Sequence, residues 1–253
     1  MAAVGGSAYQ ELATAYDWLV PEALLTPEGN AAMFEEQLAT LDRGAHALDC
    51  ACGTGTLAVG LALRGFEVAA SDASPAMVER TRALAAEHGV DIDVKKCAWE
   101  ELPERYRPSL FQAVFCVGNS LTHAPGRNAR RSALEAMRSV MDEGALLVLT
   151  SRNWEKVRAE AFATEQLVER YGTQARVTHR WHIAPGWDDP HYMDVTVELP
   201  GATYSERLDF WPFTHEALDA DLRAAGFEPW SGTYGAEAER YLVTATRAST
   251  RSS

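Results

Sequence analysis

The sequence predicts an α/β fold in which a mostly parallel sheet carries helices on both faces. Three observations lead there. The stretch ALDCACGTGT, residues 47–56, reads as a buried strand ending in a tight glycine turn. Strand and helix signals then alternate strictly as far as Thr150, the pattern of parallel strands joined by crossover helices. Beyond Arg152 the composition shifts toward valine, threonine and aromatics, which predicts an antiparallel flap inserted after the fifth strand.

Residues 9–41 are helical in pattern, in two pieces broken around Pro27 and Gly29, the second covering 31–41. Tyr16 and Trp18 in the first piece either pack on the core or lie over a ligand as a cap. A helix-compatible run, 56–64, follows the glycine turn, so a ligand at the turn also meets a helix N-terminus. Residues 66–71 read as the second strand, with Asp72 at its C-terminal end. Ser74 then caps a helix that has Pro75 at its first position and stops at Gly89. A third strand at 92–97 leads to Ala98, Trp99 and an acidic loop through Pro108. The apolar strand 110–117 ends in Gly118, Asn119 and Ser120, with His123 close behind. A helix at 131–141, a turn at Glu143 and Gly144, and a strand at 145–150 close the alternating region. A helix at 157–171, flap strands at 175–183, 193–199 and 202–211, a helix from Thr214 to Gly226 and a last strand at 241–247 follow. Four regions are thereby expected: a helical cap (1–44), a ligand-binding core (45–163), the flap (164–211), and the last helix and strands of the core (212–248).

At 253 residues and 47% hydrophobic content the chain can bury a full core, and only the first eight residues and the tail from Ala248 are expected to fray. The net charge of −13 disfavours nucleic acid as a partner and favours a small-molecule substrate. The basic cluster Arg127, Arg130 and Arg131 is expected only to solvate a helix start. No run of about 18 apolar residues exists, so no membrane association and a cytoplasmic location are expected. Cys50, Cys52, Cys97 and Cys116 have neither disulfide nor zinc spacing and read as buried thiols. His179, His182 and His191 are too loosely spaced to read as a metal site. Exposed flap strands and the N-terminal helix offer a route to a homodimer.

Glycines at 53 and 55 let the backbone bend and a ligand approach with no Cβ in the way. The string from Gly53 to Ala58 fits the G-x-G-x-x-A dinucleotide fingerprint, which brings a nicotinamide-dependent reductase into consideration. Asp49, inside the strand ahead of the turn, argues otherwise, because a carboxylate there repels a pyrophosphate and suits an amino group. Asp72 is placed to accept both hydroxyls of a ribose. The cofactor that joins a ribose to an amino-acid end is S-adenosylmethionine. Arg152, at the end of a central strand, can clamp a carboxylate with two parallel bonds, or can form a plain ion pair with a neighbouring acid.

Between about 47 and 157 the chain resembles class I S-adenosylmethionine-dependent methyltransferases, most of all the glycine and glycine-sarcosine N-methyltransferases. The likeness is carried by DCACGTG, RGFEVAASDASPAM, the pair Ala98 and Trp99, CVGNSLTH and GALLVLTSRNW, and returns weakly in RLDFWPFTHEALDADLRAAGF. It implies a Rossmann-like class I methyltransferase fold: a seven-stranded, mostly parallel sheet with helices on both faces and an antiparallel β flap after strand 5. It further implies that Ala51, Gly53 and Gly55 shape the methionine pocket, that Asp72 holds the ribose, that Ala98 and Trp99 flank the adenine, and that Val117, Gly118 and His123 line the cofactor. Tyr16, Asp49, Ala73 and Met77 complete the expected cofactor set. Asn119 and Arg152 match substrate-binding positions, with Trp18 expected beside them. Tyr16, Asn119 and His123 are the candidates for catalysis. That family also has an arginine ahead of the first strand for the cofactor carboxylate, and residues 29–33 hold none. The implied reaction is methylation of a small molecule, at the amine nitrogen of an amino acid or a similar metabolite. An O-methyltransferase of a natural-product scaffold, stacked on Trp181, Trp187, Tyr192 and Trp211, is the alternative, and a non-methylating relative that only binds the cofactor is another. The flap sequence WHIAPGWDDPHY has no counterpart in the resemblance, so substrate choice is expected to reside there.

Overall fold

In a computed structural model of the chain, residues 9–106, 110–160 and 163–248 are described. Residues 1–8, 249–253 and part of the acidic loop lie outside them, whereas Ala248, where the tail expected to fray begins, donates its N–H to the Gly226 carbonyl at 3.1 Å. The strands are β1 (His46–Asp49), β2 (Glu67–Asp72), β3 (Asp93–Lys96), β4 (Phe111–Cys116), β5 (Met141–Arg152), β6 (Ala163–Arg170), β7 (Thr173–His182), β8 (His191–Leu199), β9 (Ala202–Phe210), β10 (Phe227–Gly232) and β11 (Arg240–Arg247). The helices are α1 (Pro27–Ala32), α2 (Glu35–Leu38), α3 (Thr56–Leu63), α4 (Pro75–Glu87), α5 (Leu102–Tyr106), α6 (Gly126–Ser139), α7 (Trp154–Glu160) and α8 (His215–Ala224).

Seven strands form one sheet in the order β10-β11-β5-β4-β1-β2-β3, and β11 is the strand that runs against its neighbours. Alternation along the central strands sends successive side chains to opposite faces. Leu48, Val114 and Leu147 pack with Leu134 and Met137 of α6 and Leu218 and Leu222 of α8. Ala47, Phe115 and Val148 pack on the other face with Ala31 of α1, Leu57 and Leu61 of α3 and Val78 of α4. A parallel strand covered on both faces is apolar throughout, which is why these runs were legible in the sequence. In such a sheet the C-terminal ends of β1, β2, β4 and β5 come together on one edge.

The flap is a separate antiparallel sheet, β6-β7-β8-β9. Its inner face, including Met193, Val195, Val197, Leu208 and Phe210, packs on Leu12, Ala15 and Trp154. The helix expected at 157–171 ends instead at Glu160, and its second half is the edge strand β6, paired with β7 along its whole length. Glu165, Glu169 and Arg170 favour helix locally, but the segment has no continuous apolar helical stripe, and pairing with β7 decides its form.

The N-terminal region also departs from the two long helices expected. Residues Ala13–Trp18 and Glu22–Leu24 form 3₁₀ turns, and Pro27 starts α1 rather than breaking a helix. The Thr26 hydroxyl accepts the Gly29 N–H at 3.1 Å, so threonine caps the helix and proline takes the first position, where its missing N–H costs nothing. Ser74 and Thr214 cap α4 and α8 as expected. The turn expected at Glu143 and Gly144 lies inside β5, where the register with β4 is irregular.

Arg127, Arg130 and Arg131 do more than solvate a helix start. All three bond to the carboxylate of Asp221 on α8, which is 0% exposed. The four cysteines are free and buried.

Candidate active site

Strand β1 ends at Asp49, and the chain turns through Cys50 to Gly55 before α3 begins. Gly53 and Gly55 have φ of +53° and +86°. A Cβ on Gly55 would lie 2.8 Å from the backbone of Thr81, so that position is closed to other residues. At Gly53 a Cβ would meet nothing within 4 Å, and the space it would enter belongs to the cavity. The Asp72 carboxylate braces this turn: Oδ2 accepts the Gly53 N–H at 2.9 Å and Oδ1 the Ser74 N–H at 2.8 Å. Burial nevertheless raises its pKa, the backbone N–H groups pulling the other way.

Asp49 is 1% exposed. Its Oδ1 receives one long contact from the Ala51 N–H, 3.5 Å, and its Oδ2 has no partner. Burial, with the nearby Asp72 charge, pushes its carboxyl up to about 7. A buried carboxylate oxygen without a donor is costly unless a cation or donor comes to it.

These strand ends open on a cavity of about 830 Å³, within the range of small-molecule sites. Among the residues expected there, Tyr16, Asp49, Ala51, Gly53, Asp72, Met77, Val117, Gly118 and His123 line it. The N-terminal segment forms the opposite wall. A 3₁₀ helix repeats every three residues, so Leu12, Ala15 and Trp18 face the flap core while Tyr16 faces the cavity and Leu19 borders both. His123 gives its Nδ1–H to the Asp209 carbonyl at 2.8 Å, because a carbonyl can only accept. Burial holds it below the usual histidine range, so the ring is neutral near pH 7 with Nε2 as its free acceptor.

The methyltransferase-domain family profile matches residues 47–144. Over 199 residues the chain is 27% identical to a glycine/sarcosine N-methyltransferase of Aphanothece halophytica, an alignment covering 77% of this chain and 70% of that protein. Over 202 residues it is 31% identical to the glycine N-methyltransferase of Mus musculus, covering 72% of this chain and 69% of that one. The fold matches the solved structure of the CcbJ methyltransferase from Streptomyces caelestis with a TM-score of 0.80 at 21% identity, over 96% of this chain and 99% of that one. The chain belongs to the class I S-adenosylmethionine-dependent methyltransferases. S-adenosylmethionine is its cofactor and S-adenosylhomocysteine its product.

The cavity of this methyltransferase suits that cofactor. An ammonium would answer the orphaned Asp49 oxygen, and the space beside Gly53 would admit a ligand to the backbone of the turn. In the stretch without the expected arginine, Asn30 and Met33 line the cavity, and Asn30 donates to the Thr56 hydroxyl at 2.7 Å.

Other expected residues stand outside the cavity lining. Trp99 donates its Nε1–H to the Cys50 carbonyl at 2.9 Å and, like Ala98, Ala73 and Gly55, does not line the cavity. Trp18 makes an edge contact with Tyr171 of the flap. Asn119, 4% exposed and with φ of +72°, uses its side chain to join β4 to β5: Oδ1 accepts the Arg152 N–H at 2.9 Å and Nδ2 donates to the Thr122 hydroxyl at 2.9 Å. Those bonds position Arg152. Its guanidinium lies 5.6 Å from the Trp181 ring centre, and among the described residues it has no ion-pair partner. The aromatic residues of the flap are dispersed, with Trp187 under Arg158 and Tyr192 stacked on His182. The flap histidines are likewise dispersed, and among the described residues no three potential metal ligands gather.

Sequence reasoning passed over Tyr9, Arg80 and Arg240, all of which line the cavity. The spacing of Tyr9 from Tyr16 was a weak available signal. Arg80, which binds Asp17 at 2.8 Å and the Ala13 carbonyl, and Arg240 become site residues only through contacts between distant segments.

Proposed function

We propose that this chain transfers a methyl group to the amine nitrogen of an amino acid or amino-acid-like small molecule. The observation that carries the reading is Arg152, a partly buried guanidinium at the C-terminal end of β5 that has no acid partner among the described residues. A free guanidinium fork beside a methyl-donor cavity suits a carboxylate-bearing acceptor. The glycine and glycine/sarcosine N-methyltransferases among its relatives, as named, support the same substrate class.

When bound, S-adenosylmethionine supplies a methyl group already activated on a sulfonium, so no protein group has to activate the donor. The chain's own residues bind, align and exclude water. Asp49 would hold the cofactor ammonium, and Asp72 would take the ribose hydroxyls with lone pairs left over from its two backbone bonds. Tyr16, whose hydroxyl burial keeps protonated, would wall the reacting region. Neutral His123 would accept a hydrogen bond at Nε2 from the amine or from a water, and Asn119 would act as a positioning residue by fixing the backbone of Arg152. Alignment of this kind supplies about 7 to 11 kcal/mol of barrier reduction in favourable cases.

The test is S-adenosylhomocysteine release with a panel of amines and phenols, some carrying a carboxylate and some not. Turnover is expected with carboxylated amines, and Arg152→Ala should raise KM for them by about tenfold or more. Turnover confined to phenols, or an unchanged KM in the variant, would overturn the reading.

A further inference from the structure

Strand β11 returns antiparallel to β5, and their register sets Arg240 directly opposite Arg152. Directly opposed residues of an antiparallel pair share a face of the sheet, and like charges there repel. Neither guanidinium has a carboxylate within ion-pair distance among the described residues. Glu239, the acid whose charge Arg152 feels, is bonded to Lys156 at 2.8 Å. Arg240 lines the cavity, as do Tyr9 and Tyr16, and both tyrosines feel the two arginine charges. Two opposed cations therefore stand at the end of this strand pair, Arg240 lining the cavity and Arg152 beside it, and among the described residues neither is bonded to a carboxylate.

We infer that Arg152 and Arg240 together form one carboxylate site, in which Arg240 is a second arm that selects acceptors bearing an acid group. This deepens the proposed function and rests on it for the identity of the ligand. Arg152 alone would hold a carboxylate from one side; Arg240 closes the other side from a different strand. The loss of charge favourability at Arg152, lowered to about 10 chiefly by burial and next by Arg240, is relieved when an anion binds. A carboxylate could come from the acceptor or from the amino-acid end of the cofactor, so the experiment separates the two.

Acetate, a carboxylate with no nucleophile, is titrated by calorimetry into protein saturated with S-adenosylhomocysteine, and S-adenosylhomocysteine is titrated separately into the free protein. Arg240→Gln is expected to weaken acetate by about tenfold or more while leaving S-adenosylhomocysteine within about twofold, the loss typical of one charge-assisted bond. Retained S-adenosylhomocysteine binding also shows that the variant is folded. Arg240→Lys keeps the charge and loses the fork, and an intermediate affinity is expected. Unchanged acetate affinity in Arg240→Gln overturns the inference, as does a comparable loss of S-adenosylhomocysteine, which would assign Arg240 to the cofactor carboxylate. Acetate binding that depends on both arginines, in a protein that methylates no amine, would support the anion site and overturn the proposed function alone.

Discussion

Asp49 combines near-complete burial with an oxygen that has no donor, and its carboxyl rises to about 7 because burial disfavours the charge and Asp72 adds repulsion, against one weak bond from Ala51. A raised acid pKa means that the folded protein holds a proton the unfolded chain has lost, so this group stabilises the free protein at low pH. That stabilisation fades as pH rises from about 4 to about 7. A cation at Asp49 reverses the preference and drives the proton off. Cofactor binding at about pH 6 should therefore release up to about one proton, and at about pH 8 the release from this group should vanish. Calorimetry in buffers of different ionisation enthalpy measures the number directly. Asp49→Asn should abolish the pH-dependent release and weaken the cofactor by roughly thirtyfold, about 2 kcal/mol for a bond to a charged group. Proton release that persists in Asp49→Asn would assign it elsewhere, to Asp72 first.

At the scale of elements, the cavity wall depends on how the N-terminal segment is held. The Glu206 carboxylate on β9 accepts the N–H groups of Gln10, Glu11 and Leu12 at 3.2, 3.0 and 3.0 Å, while Arg170 donates to the Val20 carbonyl and Arg80 to Asp17. The flap thus secures the segment that carries Tyr9 and Tyr16. Glu206→Ala should speed hydrogen exchange at residues 10–12 and weaken the cofactor several-fold, yet change global stability by only about 1 kcal/mol, since two of the three bonds are exposed. Unchanged exchange would show that packing of Leu12 and Ala15 suffices. The same contrast explains what was legible beforehand. The parallel core could be read because its strands are continuous apolar runs punctuated by glycine turns and caps, as at Gly53 and Ser74. The edge strand β6 could not, because its charged residues favour helix and its form comes from β7. Asp49 and Asp72 were visible as acids at strand ends, whereas the pairing of Arg240 with Arg152 depends on a register between strands about 90 residues apart, which no local pattern records.

For the molecule as a whole, a chain with net charge −13 places three arginines on one buried acid. Asp221 and Arg130 are 0% and 4% exposed, and together they tie α6 to α8 on the sheet face away from α1, α3 and α4. Burial alone would raise the Asp221 pKa, but the bonds from Arg127, Arg130 and Arg131 outweigh it and hold the carboxyl below the usual range. Removing one partner of a buried ion pair costs about 3 to 5 kcal/mol, because the other charge is left without compensation in the interior. Asp221→Ala leaves Arg130 in that state and should lower the melting temperature by on the order of 10 °C, measured by calorimetry at neutral pH. Cofactor affinity of the folded variant should be nearly unchanged, since Asp221 does not line the cavity. The depressed pKa adds a second signature. The contribution of Asp221 is fully present above about pH 4 and is lost as pH falls through the folded value, because the unfolded chain takes up the proton first. Wild-type stability should therefore decline in acid by an amount that the Asp221→Ala variant no longer shows. A variant that melts like the wild type at neutral pH, or keeps the same acid slope, would show that the two helices are held by Leu134, Met137, Leu218 and Leu222 alone.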